Sequence, residues 1–106
     1  MASSGSFRHA PREARPGQGE NLWMGTRGAY SLEDMIGGWS GERRYFRSGF
    51  FPDVSTSGNW SDVAHYTQMI WRSTTNVGCA LHQGRSDDYL VCRYSPPGNV
   101  TGQPVP

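Results

Sequence analysis

Lysine is absent from this sequence: all ten basic side chains are arginines, and nine acidic side chains leave a net charge of +1. Most of the arginines are scattered, and only Arg43, Arg44 and Arg47 lie close together. Proteins that bind nucleic acid carry a clustered basic excess. This chain has none, so we expect no nucleic-acid partner, and we interpret the arginine trio as a solvent-exposed helix end.

Long hydrophobic runs are also missing, since no apolar stretch approaches the ~20 residues of a membrane-spanning helix. The first 21 residues hold almost no apolar side chains, so no signal peptide is visible and an export signal would have to lie upstream. A length of 106 residues has room for one domain. We therefore expect a single domain over 1–106, without a transmembrane segment, in which 1–19 is loop-like and 100–106 is a tail.

Cysteine is scarce, with only Cys79 and Cys92 present. They lie in two segments, NVGCALH and YLVCRY, whose composition and separation predict a β-hairpin. If its turn is centred between Arg85 and Ser86, Cys79 lies directly opposite Cys92. Opposed cysteines on antiparallel strands are close enough to form a disulfide. Two free buried thiols are the alternative.

A helix is predicted to begin at Ser31, because Asp34 follows three residues later in a capping-box pattern. Apolar residues then recur at helical spacing: Leu32, Met35, Ile36 and Trp39. Glu42 continues this apolar stripe, and Tyr45 and Phe46 follow it. Glu42 is either a helix-end acid paired with a neighbouring arginine or a carboxylate that points inward.

A second helix is predicted over 60–71, WSDVAHYTQMIW, with Ser61 and Asp62 at its N-terminus. His65 lies among the apolar residues of this segment. Burying an unpaired imidazole is costly, so we expect His65 to have a polar partner. The ordinary interpretation is a core histidine hydrogen-bonded to a carboxylate.

The segment 47–59 is rich in glycine, serine and proline and predicts a loop. Phe50 and Phe51 in this loop either pack into the core or line a hydrophobic groove. Two tripeptides, Asn59-Trp60-Ser61 and Asn99-Val100-Thr101, match the acceptor pattern for N-linked glycosylation. That pattern matters only in a eukaryotic secretory pathway.

Seven segments, in this order, resemble the CAP superfamily of cysteine-rich secretory proteins, antigen 5 and plant pathogenesis-related 1 proteins: RHA, GENLW, WSGE, HYTQMIW, NVGCA, YLVCRYSPPGN and GQP. The resemblance runs from about residue 6 to the C-terminus. It implies an α+β fold, a three-layer α-β-α sandwich with a central antiparallel sheet. It also implies that the chain lacks the N-terminal third of a CAP domain, including a long first helix.

The resemblance further implies a cleft of two histidines and two glutamates, which are His9, Glu20, Glu42 and His65 in this sequence. Two imidazoles and two carboxylates suit a divalent metal, and Zn²⁺ best. The same groups could act as acid and base around a water, or form a hydrogen-bonded structural cluster. His82 matches no position of the cleft.

The function implied by the resemblance is that of a secreted, non-enzymatic module that binds a partner or a small lipid, either a sterol or a fatty acid. Its candidate ligand-binding residues are aromatic: Tyr45, Phe46, Phe50, Phe51 and Trp60. A metal-dependent hydrolase that uses the His/Glu cleft is the alternative, and a structural fragment without activity is a third reading. Export to an oxidising compartment would favour a Cys79–Cys92 disulfide.

Overall fold

A three-stranded antiparallel sheet forms the centre of the computed structural model, which describes residues 17–105. Its strands are β1 (Gly19–Thr26), β3 (Asn76–Gln83) and β4 (Asp87–Ser95), in the order β1-β4-β3. The hairpin register is the predicted one, with Cys79 opposite Cys92 and Leu81 opposite Leu90. β3 and β4 extend beyond the predicted segments NVGCALH and YLVCRY, and β1 covers GENLW and the three residues after it.

Helix α1 (Leu32–Ser40) begins as predicted. The Ser31 hydroxyl accepts from the Asp34 N–H, and the Asp34 carboxylate accepts from the Ser31 N–H. Met35 and Trp39 are buried, whereas the other two residues of the apolar stripe, Leu32 and Ile36, are exposed. Only one edge of the predicted stripe therefore faces the sheet.

The second helix is shorter than predicted and begins later. Trp60–Asp62 form a separate 3₁₀ turn, and α2 spans only Ala64–Met69. The prediction that Ser61 and Asp62 cap the helix was wrong. Asn59 accepts the Ser61 N–H and ends the preceding loop, while α2 begins after Val63 without a side-chain cap.

Two hydrophobic clusters hold the helices in place. The first contains Met35 and Trp39 of α1 and the β4 side chains Leu90, Cys92 and Tyr94, with Met69 packed against it. The second contains Phe51, Val54, Val63, Trp71 and Val105, with Ile70 packed against it. Because Met69 and Ile70 at the end of α2 reach different clusters, this helix is fixed between them.

The C-terminal segment is attached to the domain through a short ladder. Strand β2 (Gly49–Phe50) pairs with β5 (Pro104–Val105), and Val105 is buried in the second cluster. The segment 47–59 is thus not all loop, and the tail lies along the protein.

The α+β class and the antiparallel sheet agree with the expected fold. Among the described residues, α1 packs on the face of the sheet that carries Leu90, Cys92 and Tyr94. No helix in this part of the chain is long and apolar enough to cross a membrane.

Candidate functional site

Glu42 and His65 form a carboxylate–imidazole pair. Glu42 lies in a 3₁₀ turn that directly follows α1 (Gly41–Tyr45), and its Oε2 is 2.7 Å from Nδ1 of His65. Its Oε1 accepts the backbone N–H of Tyr66 at 3.0 Å. A carboxylate can only accept, so Nδ1 is the donor, and in the neutral imidazole the lone pair is then on Nε2. The structure thus favours the inward-pointing interpretation of Glu42 over pairing with Arg43, Arg44 or Arg47.

Two further residues contact His65, one at its ring and one at its backbone. The Trp39 indole lies parallel to the His65 ring, with 5.8 Å between the ring centroids and 10° between the planes. On the backbone side, the buried Asn21 amide donates to the His65 carbonyl at 3.2 Å and to the Tyr94 hydroxyl at 3.1 Å. His65 is therefore held from three sides, by α1, by β1 and by the turn that carries Glu42.

His65 lies on an open groove with a volume of about 570 Å³. The groove runs between the start of β1, the turn before α2 and the segment after β4. Six lining residues matter for its chemistry: Glu20, Phe51, Trp60, Ser61, His65 and Asn99. Glu42 is not among the lining residues, so it acts on the groove through His65.

Glu20 occupies the same groove but is already paired. It lies opposite Arg93 in the β1–β4 ladder, and its Oε2 accepts from Arg93 Nε at 3.2 Å. The Glu20 side chain is only 2% exposed. The ion pair with Arg93 thus holds the Glu20 carboxylate in place at the wall of the groove.

The predicted metal-binding residues are brought together in part. Glu20 and His65 line one groove, and Glu42 contacts His65. His9 lies outside the described residues. Within 17–105, no group of three or more His, Cys, Asp or Glu is arranged to hold a metal ion. His82, which was left out of the site, lies in β3 beside Tyr89 and away from the groove.

The five predicted aromatic ligand-binding residues separate into two groups. Phe51 and Trp60 line the groove and contact each other edge to face, with 5.6 Å between their ring centroids. Phe46 instead packs on Tyr66, Tyr45 lies under the Arg44 guanidinium, and Phe50 is exposed. Only the first two are placed to contact a molecule in the groove.

Sequence reasoning missed two asparagines that build the site. Asn21 positions His65, and Asn99 links the segment after β4 to the first turn of α2 through Ala64 and Thr67. Asn21 directly follows Glu20 in the GEN segment, and Asn99 follows a Pro-Gly pair. The only sequence signal for Asn21 is its position next to a predicted site residue. The only signal for Asn99 is its position in a predicted turn.

Burial raises the pKa of Tyr94, and the hydrogen bond from Asn21 acts in the opposite direction. The Tyr94 hydroxyl therefore stays protonated at neutral pH. This neutral phenol contributes no charge near the backbone of His65.

The family model that matches this chain is described as the cysteine-rich secretory protein family, CAP, and it covers residues 1–94. Pathogenesis-related protein 1C of Nicotiana tabacum is 36% identical over 86 residues, which cover 80% of this chain and 49% of that protein. Venom allergen 5 2 of Polybia paulista is 36% identical over 93 residues, covering 82% and 44% respectively. The chain thus spans about half the length of the curated relatives it matches.

Solved structures are similar over most of this chain. A crystal structure of NaASP2 with Zn²⁺ superimposes with a TM-score of 0.78 at 31% identity, covering 92% of this chain and 54% of that one. A crystal structure of Na-ASP-1 gives a TM-score of 0.69 at 27% identity, covering 92% and 26%. The overall fold is therefore shared with these proteins.

Proposed function

The chain belongs to the CAP family of cysteine-rich secretory proteins, and we propose that it is an extracellular, non-enzymatic module whose groove binds Zn²⁺ through Nε2 of His65. The observation that carries this proposal is the 2.7 Å contact between His65 Nδ1 and Glu42. Histidines that ligate metals commonly donate their second ring N–H to a carboxylate, which sets the tautomer and raises the basicity of the ligating nitrogen.

The side chains of the groove fit a zinc ion in unequal roles. His65 offers an unshared lone pair, and imidazole is a good zinc ligand. Glu42 has both oxygens engaged, by the His65 ring and by the Tyr66 N–H. Glu42 therefore fits the role of a hydrogen-bond partner of the ligand His65 better than that of a ligand. Glu20 supplies a nearby negative charge, and His9 remains a predicted ligand.

The similarity to a protein crystallised with Zn²⁺ supports the same choice of metal. When bound, the ion would supply Lewis acidity. The chain's own residues would orient the ligating imidazole and hold it in one tautomer.

Calorimetric titration of the folded chain with Zn²⁺ at neutral pH tests the proposal. We expect binding in the parent protein and its loss in His65→Ala. Binding should also weaken as the pH is lowered, because a protonated imidazole has no lone pair to donate. His82→Ala is the matched control, since it removes an exposed histidine outside the groove. Equal affinity in the parent and His65→Ala would contradict the proposal.

Glu42→Gln tests how the pair acts. The Tyr66 N–H still needs an acceptor, so the glutamine oxygen would turn to it and the glutamine NH₂ would turn to His65 Nδ1. That places the imidazole proton on Nε2 and removes the ligating lone pair. We expect Zn²⁺ affinity to fall about 10-fold or more, with a change of tautomer visible in the ¹⁵N spectrum of the ring. An unchanged tautomer would mean that Glu42 does not set it.

A small lipid, either a sterol or a fatty acid, stays our proposal for the aromatic part of the groove. Phe51 and Trp60 offer apolar surface there, and such surface favours an apolar ligand. Lipid extraction from protein secreted by cells, compared between the parent and Trp60→Ala, is the test. Equal lipid content in both proteins would show that the lipid does not bind at this part of the groove.

The hydrolase remains the second candidate because the Glu42–His65 pair also has the geometry of an oriented general base. Turnover that is abolished both by a chelator and by His65→Ala would favour this alternative. Zn²⁺ binding without turnover would favour the non-enzymatic module.

A further inference from the structure

The two glycosylation tripeptides of this chain differ sharply in their surroundings. Asn59-Trp60-Ser61 forms the turn that precedes α2, and Asn99-Val100-Thr101 follows β4. Both match the acceptor pattern equally well in sequence. We propose that Asn59 carries an N-linked glycan when the chain passes through a eukaryotic secretory pathway, and that Asn99 does not. This rests on the extracellular location in the proposed function.

Asn59 presents its amide nitrogen to solvent. Asn59 is exposed, and its Oδ1 accepts from the Ser61 N–H at 3.1 Å and from the Ser61 hydroxyl at 2.8 Å. Within the described part of the chain, Nδ2 makes no hydrogen bond. A substituent on Nδ2 would leave both contacts of the oxygen intact, so the folded protein can accommodate a sugar at this position.

Asn99 has the opposite arrangement. Its Nδ2 donates to the Ala64 carbonyl at 2.9 Å, and its Oδ1 accepts from the Thr67 hydroxyl at 2.6 Å. Thr67 is fully buried, and Asn99 itself is partly buried. Because both amide atoms face the first turn of α2, a glycan on Nδ2 would be placed against this turn, even if the remaining N–H still donates to Ala64.

The modification requires a transferase and a donor that such a pathway contains, the donor being a lipid-pyrophosphate-linked oligosaccharide. Nδ2 of Asn59 attacks the anomeric carbon of the first sugar and forms the N–C bond. The bond from that carbon to the pyrophosphate oxygen breaks, and the lipid pyrophosphate leaves with the electron pair. The nitrogen gives one of its two protons to a base of the transferase and keeps the other. Transfer occurs on the nascent chain, and the folded structure decides which product is compatible with the native state.

The position of Asn59 gives the glycan a consequence for the groove. Asn59 is adjacent to Trp60 and Ser61, which line the groove, and the Trp60 side chain is 47% exposed. A sugar at Asn59 would stand at this rim and cover part of the indole. Glycosylated and unglycosylated forms should therefore differ in access to the aromatic end of the groove.

The experiment is expression of the full chain with an added signal peptide in eukaryotic cells, followed by site mapping of the secreted protein. Treatment with peptide N-glycosidase in H₂¹⁸O converts each glycosylated asparagine to a labelled aspartate, which peptide mass spectrometry locates. Ser61→Ala and Thr101→Ala are the matched variants. Each destroys one acceptor tripeptide and keeps its asparagine.

We expect label at Asn59 only, loss of the glycan in Ser61→Ala, and an unchanged glycan in Thr101→Ala. Mapping of the parent protein needs no variant, so the result does not depend on whether a variant folds. Absence of label at Asn59, or label at Asn99 in secreted protein with an intact Cys79–Cys92 bridge, would overturn the proposal. Neither outcome would bear on Zn²⁺ binding in the groove, which is measured separately on unglycosylated protein.

Discussion

Asn21 is the residue on which two parts of the site depend. Its side chain is almost fully buried, and its amide nitrogen donates one hydrogen bond to the His65 carbonyl and one to the Tyr94 hydroxyl. Loss of either acceptor would leave a buried donor unsatisfied, which typically costs about 1–3 kcal/mol. The Tyr94 phenol is therefore linked to the backbone of His65 through a single amide.

Tyr94 should make the folded protein sensitive to alkali. Burial raises the pKa of Tyr94 in the folded state, so the unfolded chain releases this proton first as the pH rises. The contribution of the neutral phenol is complete below the ordinary tyrosine pKa of about 10 and is lost as the pH rises beyond it. We expect the free energy of unfolding, measured by denaturant titration, to fall in this range.

Tyr94→Phe is the control for alkaline sensitivity. It should lower stability at neutral pH by about 1–3 kcal/mol, because the Asn21 amide loses an acceptor, and its stability should then fall less steeply above pH 10. The same alkaline slope in the parent and Tyr94→Phe would show that another group controls it.

At the scale of elements, the β3–β4 hairpin carries the single covalent cross-link, and the structure joins Cys79 to Cys92. Cys92 is buried in the first hydrophobic cluster, whereas Cys79 lies on the exposed strand β3. The bridge therefore attaches an exposed edge strand to the core through its buried neighbour.

Removal of this bridge should destabilise the hairpin. The disulfide closes a loop with a sequence separation of 13, for which the chain-entropy model gives about 3 kcal/mol. We expect the double variant Cys79→Ala/Cys92→Ala to lower the free energy of unfolding by that order, measured with urea. Cys79→Ala alone breaks the bridge and keeps the buried Cys92 side chain, whereas Cys92→Ala alone breaks the bridge and also changes that side chain. Comparing the two separates the loss of the bridge from the change in the buried side chain.

Free-thiol titration gives an independent check on the disulfide. Protein exported to an oxidising compartment should show no reactive sulfhydryl before reduction and two afterwards. Two reactive thiols in native exported protein would contradict the bridge.

At the scale of the whole molecule, the outer strand β3 is exposed along its full length in the part of the chain that the structure describes. Val77 and Leu81 of β3 face the same side as the buried Tyr94 and Leu90 of β4. Their exposed fractions are nonetheless 60% and 50%. β3 also lacks the charged side chains and prolines that protect edge strands from pairing with other chains.

This exposed strand should make the 106-residue chain associate. We expect sedimentation velocity to show self-association that increases with concentration, and Val77→Thr/Leu81→Thr to reduce it. Phe50→Thr is the matched control, because Phe50 is 64% exposed but lies on β2, outside this sheet. An equal reduction by the control would indicate general hydrophobicity rather than the edge of the sheet.

A longer N-terminal sequence should change this behaviour. The chain spans 49% of the tobacco relative, and the family resemblance implies a further helix on the sheet. We expect an N-terminally extended protein to be monomeric at concentrations where the short chain associates. A short chain that is monomeric and unfolds sharply and reversibly would contradict this prediction.

The features that the sequence determined by itself are local. The capping box at Ser31 and Asp34 depends on residues three positions apart, and the hairpin register depends on a turn of a few residues. Such contacts form within one element, so their pattern is visible in the order of residues. The family motifs also indicated Glu20, Glu42 and His65 as site residues, but not what each contacts.

Tertiary packing decided the contacts between distant residues. Glu42 and His65 are 23 positions apart and meet because α1 and α2 share the first cluster. Val63, which directly precedes α2, is buried in the second cluster. Which of the five aromatic residues line the groove also depends on the folded chain, since only Phe51 and Trp60 do so. The different surroundings of Asn59 and Asn99 arose in the same way, since equal tripeptides acquire different partners only once the chain has folded.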